Sequence, residues 1–507
     1  MGEEVDFTQR YINLPAAPSR MQVAEDRILK ERQATERKEP DQIVVDCNAQ
    51  KKSLLRIEAD QKLIEQWRAM KVENEGNRER ANAAGRKEEG KSWNSAGNAF
   101  NNASEKLGKA IEAEAAGKPE VAMKWREAAE QHKNSVEPYA QAAQAASGNT
   151  KGVFSWNQIG NAFNNAADKL GKAIEAEVDG KPEIARKYCE VAEKKMCSIE
   201  PYTQAARTCA AEEKGQSGQW NNAGSGFYYA ADHLGKAIEV EVAGKSEVAR
   251  KYREVAEQYA CSAEPFTQSA RAYEQGKTAE GASWNHIGSR FYNAAGQLIR
   301  AIEADAAGKP EIARKYREVA EQQVRSVEPY AQAARARSAG KTEEGQSWNG
   351  AGIGFYNAGL NLEKAIEAEV AGRPELARKY REVAEQYTHS VEPHTQSARA
   401  YAAGKKDEGA CWYSAGLGCY QVSEKLEKAI EAEVAGKLEV ARKYREAAEQ
   451  FALSVEPYTQ SARAYTAGKK DEGQSWIRIA SGFYYAAAEL AKAIKAELAD
   501  KPEVVQK

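Results

Sequence analysis

Apolar and small residues recur along this chain in alternating steps of four and three. From Trp220 they fall at Gly224, Phe227, Ala231, Leu234 and Ile238, which places them on one stripe of an α-helix. A second stripe runs Val248, Tyr252, Val255, Tyr259, Ala263, Phe266, Ala270 and Tyr273. Between the two lies Val-Ala-Gly-Lys, with Gly244 where a left-handed helix C-terminus would sit. The pattern predicts an antiparallel hairpin, helix A followed by helix B.

That hairpin recurs. Trp93, Trp156, Trp220, Trp284, Trp348, Trp412 and Trp476 head seven copies, the first step being 63 residues and the other five 64. A fixed period of this kind is the signature of a stacked array. The prediction is therefore an all-α chain, an α-solenoid of about seven stacked antiparallel hairpins with long helices, the last incomplete. Gly244, Gly308, Gly372 and Gly436 are expected to end helix A, and Thr342, Asp407 and Asp471 to cap the helices that begin before the Trp. Pro119, Pro182, Pro310 and Pro374 suit the first position of helix B, where a missing N–H costs least.

A second proline stands inside helix B of all six full copies: Pro138, Pro201, Pro265, Pro329, Pro393 and Pro457, each after Ser-x-Glu. Either the helix continues through the proline with a kink, or the Ser caps a short third helix. Because the apolar stripe keeps its phase across the proline, a kinked continuous helix is expected.

Residues 1–90 break the pattern. About 39% of them are charged, against about 27% of the remainder, too many for a substantial core. We expect a partly disordered segment over 1–48, a charged helix over 49–90 and the repeat array over 91–507. Leu54, Leu55, Ile57, Leu63, Ile64 and Trp67 are the candidate buried positions of the charged helix, which is expected to cap the first repeat. A coiled-coil dimerisation arm is the competing assignment.

Composition narrows the chemistry. A net charge of −2 with interleaved Glu and Lys gives no long-range attraction for nucleic acid or anionic lipid. The seven cysteines recur in no fixed spacing and read as reduced structural thiols. His132, His233, His286, His389 and His394 occupy five different repeat positions, so no metal or catalytic site is repeated. AGKTEEG and AGKKDEG lack the P-loop spacing. No apolar run of about 20 residues exists to span a membrane, and the N-terminus has no signal-peptide pattern. No cofactor is expected, and a cytoplasmic location is, with signal-independent export left open.

Trp220-Asn-Asn-Ala-Gly224-Ser-Gly-Phe227 resembles the first helix of tetratricopeptide repeats, and Ala249-Arg-Lys-Tyr252-Arg-Glu-Val-Ala256 resembles the second. The likeness recurs in six copies, although the 64-residue period exceeds the family's 34. It implies a right-handed solenoid that binds peptides or proteins. The Ala/Glu-rich texture, as in AEAAGKPEVA, is also similar to tandem-repeat proteins of chlamydia-related bacteria.

The expected function is a non-catalytic protein-interaction scaffold. The alternative is a rod or filament subunit that self-associates through its terminal repeats. Candidate partner-binding residues lie in the triplet before each Ser-x-Glu-Pro, which changes in every copy: His132 and Lys133, Lys195 and Met196, Tyr259, Gln323 and Arg325, Tyr387 and His389, Phe451 and Leu453. Constant positions would hold the stack while these faced a protein or peptide.

Overall fold

The computed structural model describes residues 42–148, 151–211 and 214–499, and among them every regular element is an α-helix. The disorder expected over 1–48 falls, up to residue 41, outside the described residues. A leading helix α1 (Gln42–Ala83) is followed by α2 (Lys87–Ala115), α3 (Pro119–Asn134) and α4 (Val136–Ser147) in the first copy. The second holds α5 (Val153–Val178), α6 (Pro182–Cys197) and α7 (Ile199–Ala210); the third α8 (Lys214–Val242) and α9 (Ser246–Glu274). The fourth has α10 (Thr278–Ala306), α11 (Pro310–Arg325) and α12 (Val327–Ser338). The fifth has α13 (Thr342–Val370), α14 (Pro374–His389) and α15 (Val391–Ala402). The sixth has α16 (Lys406–Val434) and α17 (Leu438–Thr466), and α18 (Lys470–Ala499) opens the seventh. Consecutive helices pack tightly in pairs, as an all-α helical repeat requires.

Two compact units are distinguished: Met1–Asn149 with Ile159–Ala192, and Thr150–Gln158 with Glu193–Lys507. In the first, α1 packs on α2, and its Trp67 joins Phe100, Leu107, Trp125 and Ile174 in one buried cluster. The buried seam of α1 is narrow and half polar, Asp60, Trp67, Asn74 and Ala81 at seven-residue intervals. Leu54, Leu55 and Leu63 are exposed, contrary to expectation, and Ile57 and Ile64 are half-buried. A single neighbouring helix surface cannot cover every apolar position of a helix whose Leu residues do not share one stripe.

In the second unit, helix A is buried on two sides. The stripe legible in the sequence (Trp220, Gly224, Ala231, Ile238) is accompanied by Ala223, Gly226, Ala230, His233 and Ala237, all buried. The first stripe meets the preceding helix B and the second meets the helix's own partner, which explains the abundance of Ala and Gly. Two sides in contact leave little room for large side chains.

Among the described residues glycine closes most of the turns between helices. Gly244 has φ 79°, its N–H bonds the Glu241 carbonyl, and the Lys245 N–H bonds the Val240 carbonyl, the paired bonds of a Schellman motif. Gly308, Gly372 and Gly436 act likewise, and a second set, Gly276, Gly340, Gly404 and Gly468, ends helix B. Thr342, Asp407 and Asp471 are not the N-caps. Lys341 and Lys405 hold the cap positions of α13 and α16 without a side-chain bond. The tight glycine turn starts each helix earlier, leaving the acids in the first turn, where the helix dipole favours them.

The second proline does not begin a capped third helix. In α9 and α17 the helix runs through Pro265 and Pro457 without interruption. Elsewhere one residue, Ser135, Ser198, Ser326 or Ser390, separates the segments, yet its torsions stay right-handed helical and its side chain caps nothing. Instead the hydroxyl turns back. Ser135, Ser198, Ser262, Ser326, Ser390 and Ser454 all donate to the carbonyl three residues earlier at 2.6–2.7 Å. All six are fully buried, so this bond satisfies a hydroxyl that would otherwise be costly to enclose.

Candidate functional site

The variable triplets do not lie on the surface as units. Their first residues, His132, Lys195, Tyr259, Gln323, Tyr387 and Phe451, are at most 6% exposed. This corrects their assignment to a partner-facing surface. The physical reason is register: Tyr259 continues the stripe through Val255, so its phase points it inward. Lys133, Arg325, His389 and Leu453 do face solvent, and Met196 is half-buried.

Each inward residue meets the next helix A, and each meeting has its own chemistry. His132 Nδ1 lies 2.6 Å from Asn164 Oδ1, and its Nε2 lies 3.5 Å from Asp168. Lys195 Nζ is 2.7 Å from Asp232, donates to the Tyr228 carbonyl, and sits 3.1 Å from the Tyr228 ring centroid. Tyr259 packs edge-on against Tyr292, and Phe451 against Tyr484. The Tyr387 ring meets Tyr420 while its hydroxyl donates to Glu427 at 3.0 Å. Beside Gln323, the Arg290 guanidinium stacks 3.4 Å from the Tyr356 ring centroid. Variation at the hinge is therefore matched by variation in the facing helix.

The residue after the proline supplies the same contact in five of the six copies. Tyr139, Tyr202, Phe266, Tyr330 and His394 lie flat over Gly160, Gly224, Gly288, Gly352 and Gly416, where an added Cβ would come within 2.6–3.0 Å of the ring. The tyrosines also bond outward from this socket: Tyr139 donates to Asn161 at 2.8 Å, and Tyr202 pairs with Ser225 at 3.1 Å. The sequence signals for this contact were Gly four residues after the Trp and an aromatic ring after the proline.

His394 is the exception among these rings. It is 4% exposed, its Nδ1 has no hydrogen-bond partner, and burial pushes its pKa down from 6.5 to about 4. The unfolded chain therefore takes up the proton first. The contribution of neutral His394 is complete above pH 6.5 and is lost as pH falls towards the folded value, on the order of 2 kcal/mol between pH 7 and 5. His394→Phe, which installs the ring Phe266 provides elsewhere, is expected to shrink the fall in melting temperature between pH 7 and 5. An equal fall in the variant, read by circular dichroism, would refute this account.

Around the hinges the surface is charged and paired. Asp305 receives Lys251 from the preceding helix B and Arg317 from its own; Glu369 likewise receives Lys315 and Arg381, and Glu433 Lys379 and Arg445. The hydrogen bond from Lys251 holds Asp305 below the usual carboxylate range, and that from Lys315 does the same for Glu369. These partly exposed bridges are each worth up to about 1 kcal/mol. An open groove of about 540 Å³ runs between α11 and α14 over α13, with Arg314, Lys315, Glu318, Leu362, Arg381 and Thr388 among its lining. Among the described residues no His/Cys/Asp/Glu group has metal-site geometry, and no helix is long and apolar enough to cross a membrane.

No protein-family model matches the chain, and a search of curated proteins finds no significant match. The likeness to tetratricopeptide hairpins rests on the residues alone.

Proposed function

We propose that this chain is a non-catalytic scaffold for protein–protein interaction. On this reading its helix pairs continue as an α-solenoid of about seven hairpins, with α1 capping the first. One observation carries the proposal: a constant inward frame presents solvent-facing residues that differ between hinges, among them Lys133, Arg325, His389 and Leu453. Leu453 is 50% exposed, and the groove between α11 and α14 reaches Thr388, next to His389. A protein or peptide lying along the hinges would read a distinct residue at each step. The partner is bound in a folded cytoplasmic setting on this reading, without nucleic acid or cofactor.

The test separates binding from folding. Combined Arg325→Glu, His389→Glu and Leu453→Glu substitutions touch no buried contact, so far-UV circular dichroism should not change. Capture of the partner from native lysate should fall at least about tenfold, as expected when three contacts each lose roughly 0.5 kcal/mol or more. Undiminished capture by the triple variant sinks the proposal.

A further inference from the structure

The groove between α11 and α14 carries free acid on both walls. Its floor is Ala358 and Leu362 of α13 with Ala384 of α14, and its walls bring in Glu318 from α11 and Glu385 from α14. Every lysine and arginine of α11 and α14 is already engaged in an ion pair, Lys315 and Arg381 sharing Glu369 and Arg314 held by Glu311. Glu318 and Glu385 are exposed and, among the described residues, have no cationic partner. At the junctions before and after, the same two positions are Glu254 with Glu321 and Glu382 with Glu449. There one acid of each pair is neutralised, Glu321 by Arg325 and Glu382 by Arg378. Between α11 and α14 both carboxylates stay free.

A complementary face lies on α1. That helix turns Asp60 and Trp67 into its own unit, Asp60 onto Arg126 and Trp67 into the cluster with Phe100. Lys51, Leu55 and Lys62 follow one another at steps of four and seven and point the other way. Leu54, Leu55 and Leu63 are 61%, 57% and 39% exposed. Lys51, Lys52 and Lys62 are exposed as well and, among the described residues, pair with no acid. With Asp60 committed to Arg126, Glu58 is the remaining acid of residues 51–63. Leucines rimmed by lysines on one surface thus answer an apolar floor between glutamates on another. Both surfaces stand open in the folded chain.

We propose that the outer face of α1 docks in the groove between α11 and α14 of a second copy of this chain. Leu55 and its neighbours lie over Ala358 and Leu362, and the three lysines supply the charge that Glu318 and Glu385 lack, a helix seated in a groove. Apolar burial carries the affinity, and the charges select this groove over its neutralised neighbours. The contact is heterologous, so each molecule can offer its α1 to one partner and its groove to another. It goes beyond the scaffold reading, because Arg325, His389 and Leu453 do not line the groove, and α1 keeps its inner side for the first repeat.

Sedimentation equilibrium of the full chain over a concentration series tests the contact. Mass should rise with concentration, and less so at high salt. Lys51→Glu with Lys52→Glu should weaken self-association at least about tenfold, and so should Glu318→Lys with Glu385→Lys. Both pairs alter exposed, unpaired side chains, so far-UV circular dichroism should match the parent. An equimolar mixture of the two double variants should form a one-to-one complex, since the first retains its groove and the second its lysines. A parent chain that stays monomeric at every concentration overturns the proposal and leaves the groove to an unrelated basic segment. Self-association indifferent to either charge reversal, or folded variants that fail to pair on mixing, overturns it as well.

Discussion

Gly288→Val is expected to destabilise the fourth repeat by about 3 kcal/mol, at the upper end of what overpacking a closed contact costs. The added Cβ would fall 2.8 Å from the Phe266 ring, which is 2% exposed and cannot swing into solvent. Helix propensity works the other way, since replacing glycine gains up to about 1 kcal/mol in a helix interior. Contact distance therefore decides the sign. Phe266→Ala should cost about 3–5 kcal/mol alone by leaving a cavity. In the double variant the valine enters that space, so the two losses should fall short of their sum by about 2 kcal/mol. The effect belongs to one junction, because array stability is largely a sum of nearest-neighbour terms. Hydrogen exchange of α9 and α10 should accelerate far more than that of α16 and α17. Additive losses would show that ring and glycine do not share the contact.

The legible part of this architecture was what repeats. A heptad stripe, a Gly-Lys turn and a fixed period specify helical pairs because each signal is local and recurs several times. The phase of the stripe across Pro265 was enough to favour a continuous helix, and the structure keeps it so. The second stripe of helix A was hidden, because Ala223, Gly226 and Ala230 carry too little apolar surface to stand out from a solvent face. The variable triplets misled for a related reason. Variation usually marks a free surface, but Lys195 and Tyr387 vary within the core because their facing residues vary with them. Tyr259 had been placed on the buried stripe by its spacing, and spacing was the better guide. The N-caps failed for want of tertiary information: whether Asp407 caps a helix or sits in its first turn depends on how sharply Gly404 turns the chain.

Matched variation at the hinges leads to an expectation for the most unusual of them. Lys195 is fully buried, while Asp232 keeps 38% of its side chain in water. Asp232→Ala should therefore cost about 3 kcal/mol, the low end for breaking a buried pair, because the ammonium stays enclosed while its counter-charge is gone. Lys195→Phe alone should cost less, about 1 kcal/mol, since a partly hydrated carboxylate tolerates the loss of its partner. Together the two substitutions rebuild around Tyr228 the arrangement Phe451 makes with Tyr484, where Ala488 stands at the position of Asp232. The double variant should recover to within about 1 kcal/mol of the parent, a coupling only contacting residues show. Urea denaturation of the four proteins measures it; a double variant no better than Asp232→Ala would mean the pair has no private chemistry. The reciprocal change makes the same point from the other side. Phe451→Lys would enclose an ammonium beside Lys425, with Ala488 where the second repeat's partner offers an acid, and should be the costliest hinge substitution of all. Copies this similar could pair out of order at little cost to their shared frame. The position of Asp232 holds an acid in some copies (Asp168, Glu424) but Gly296, Leu360 or Ala488 in others, so a buried ammonium penalises pairing with the latter, and residues that differ between copies in this way help to fix their order.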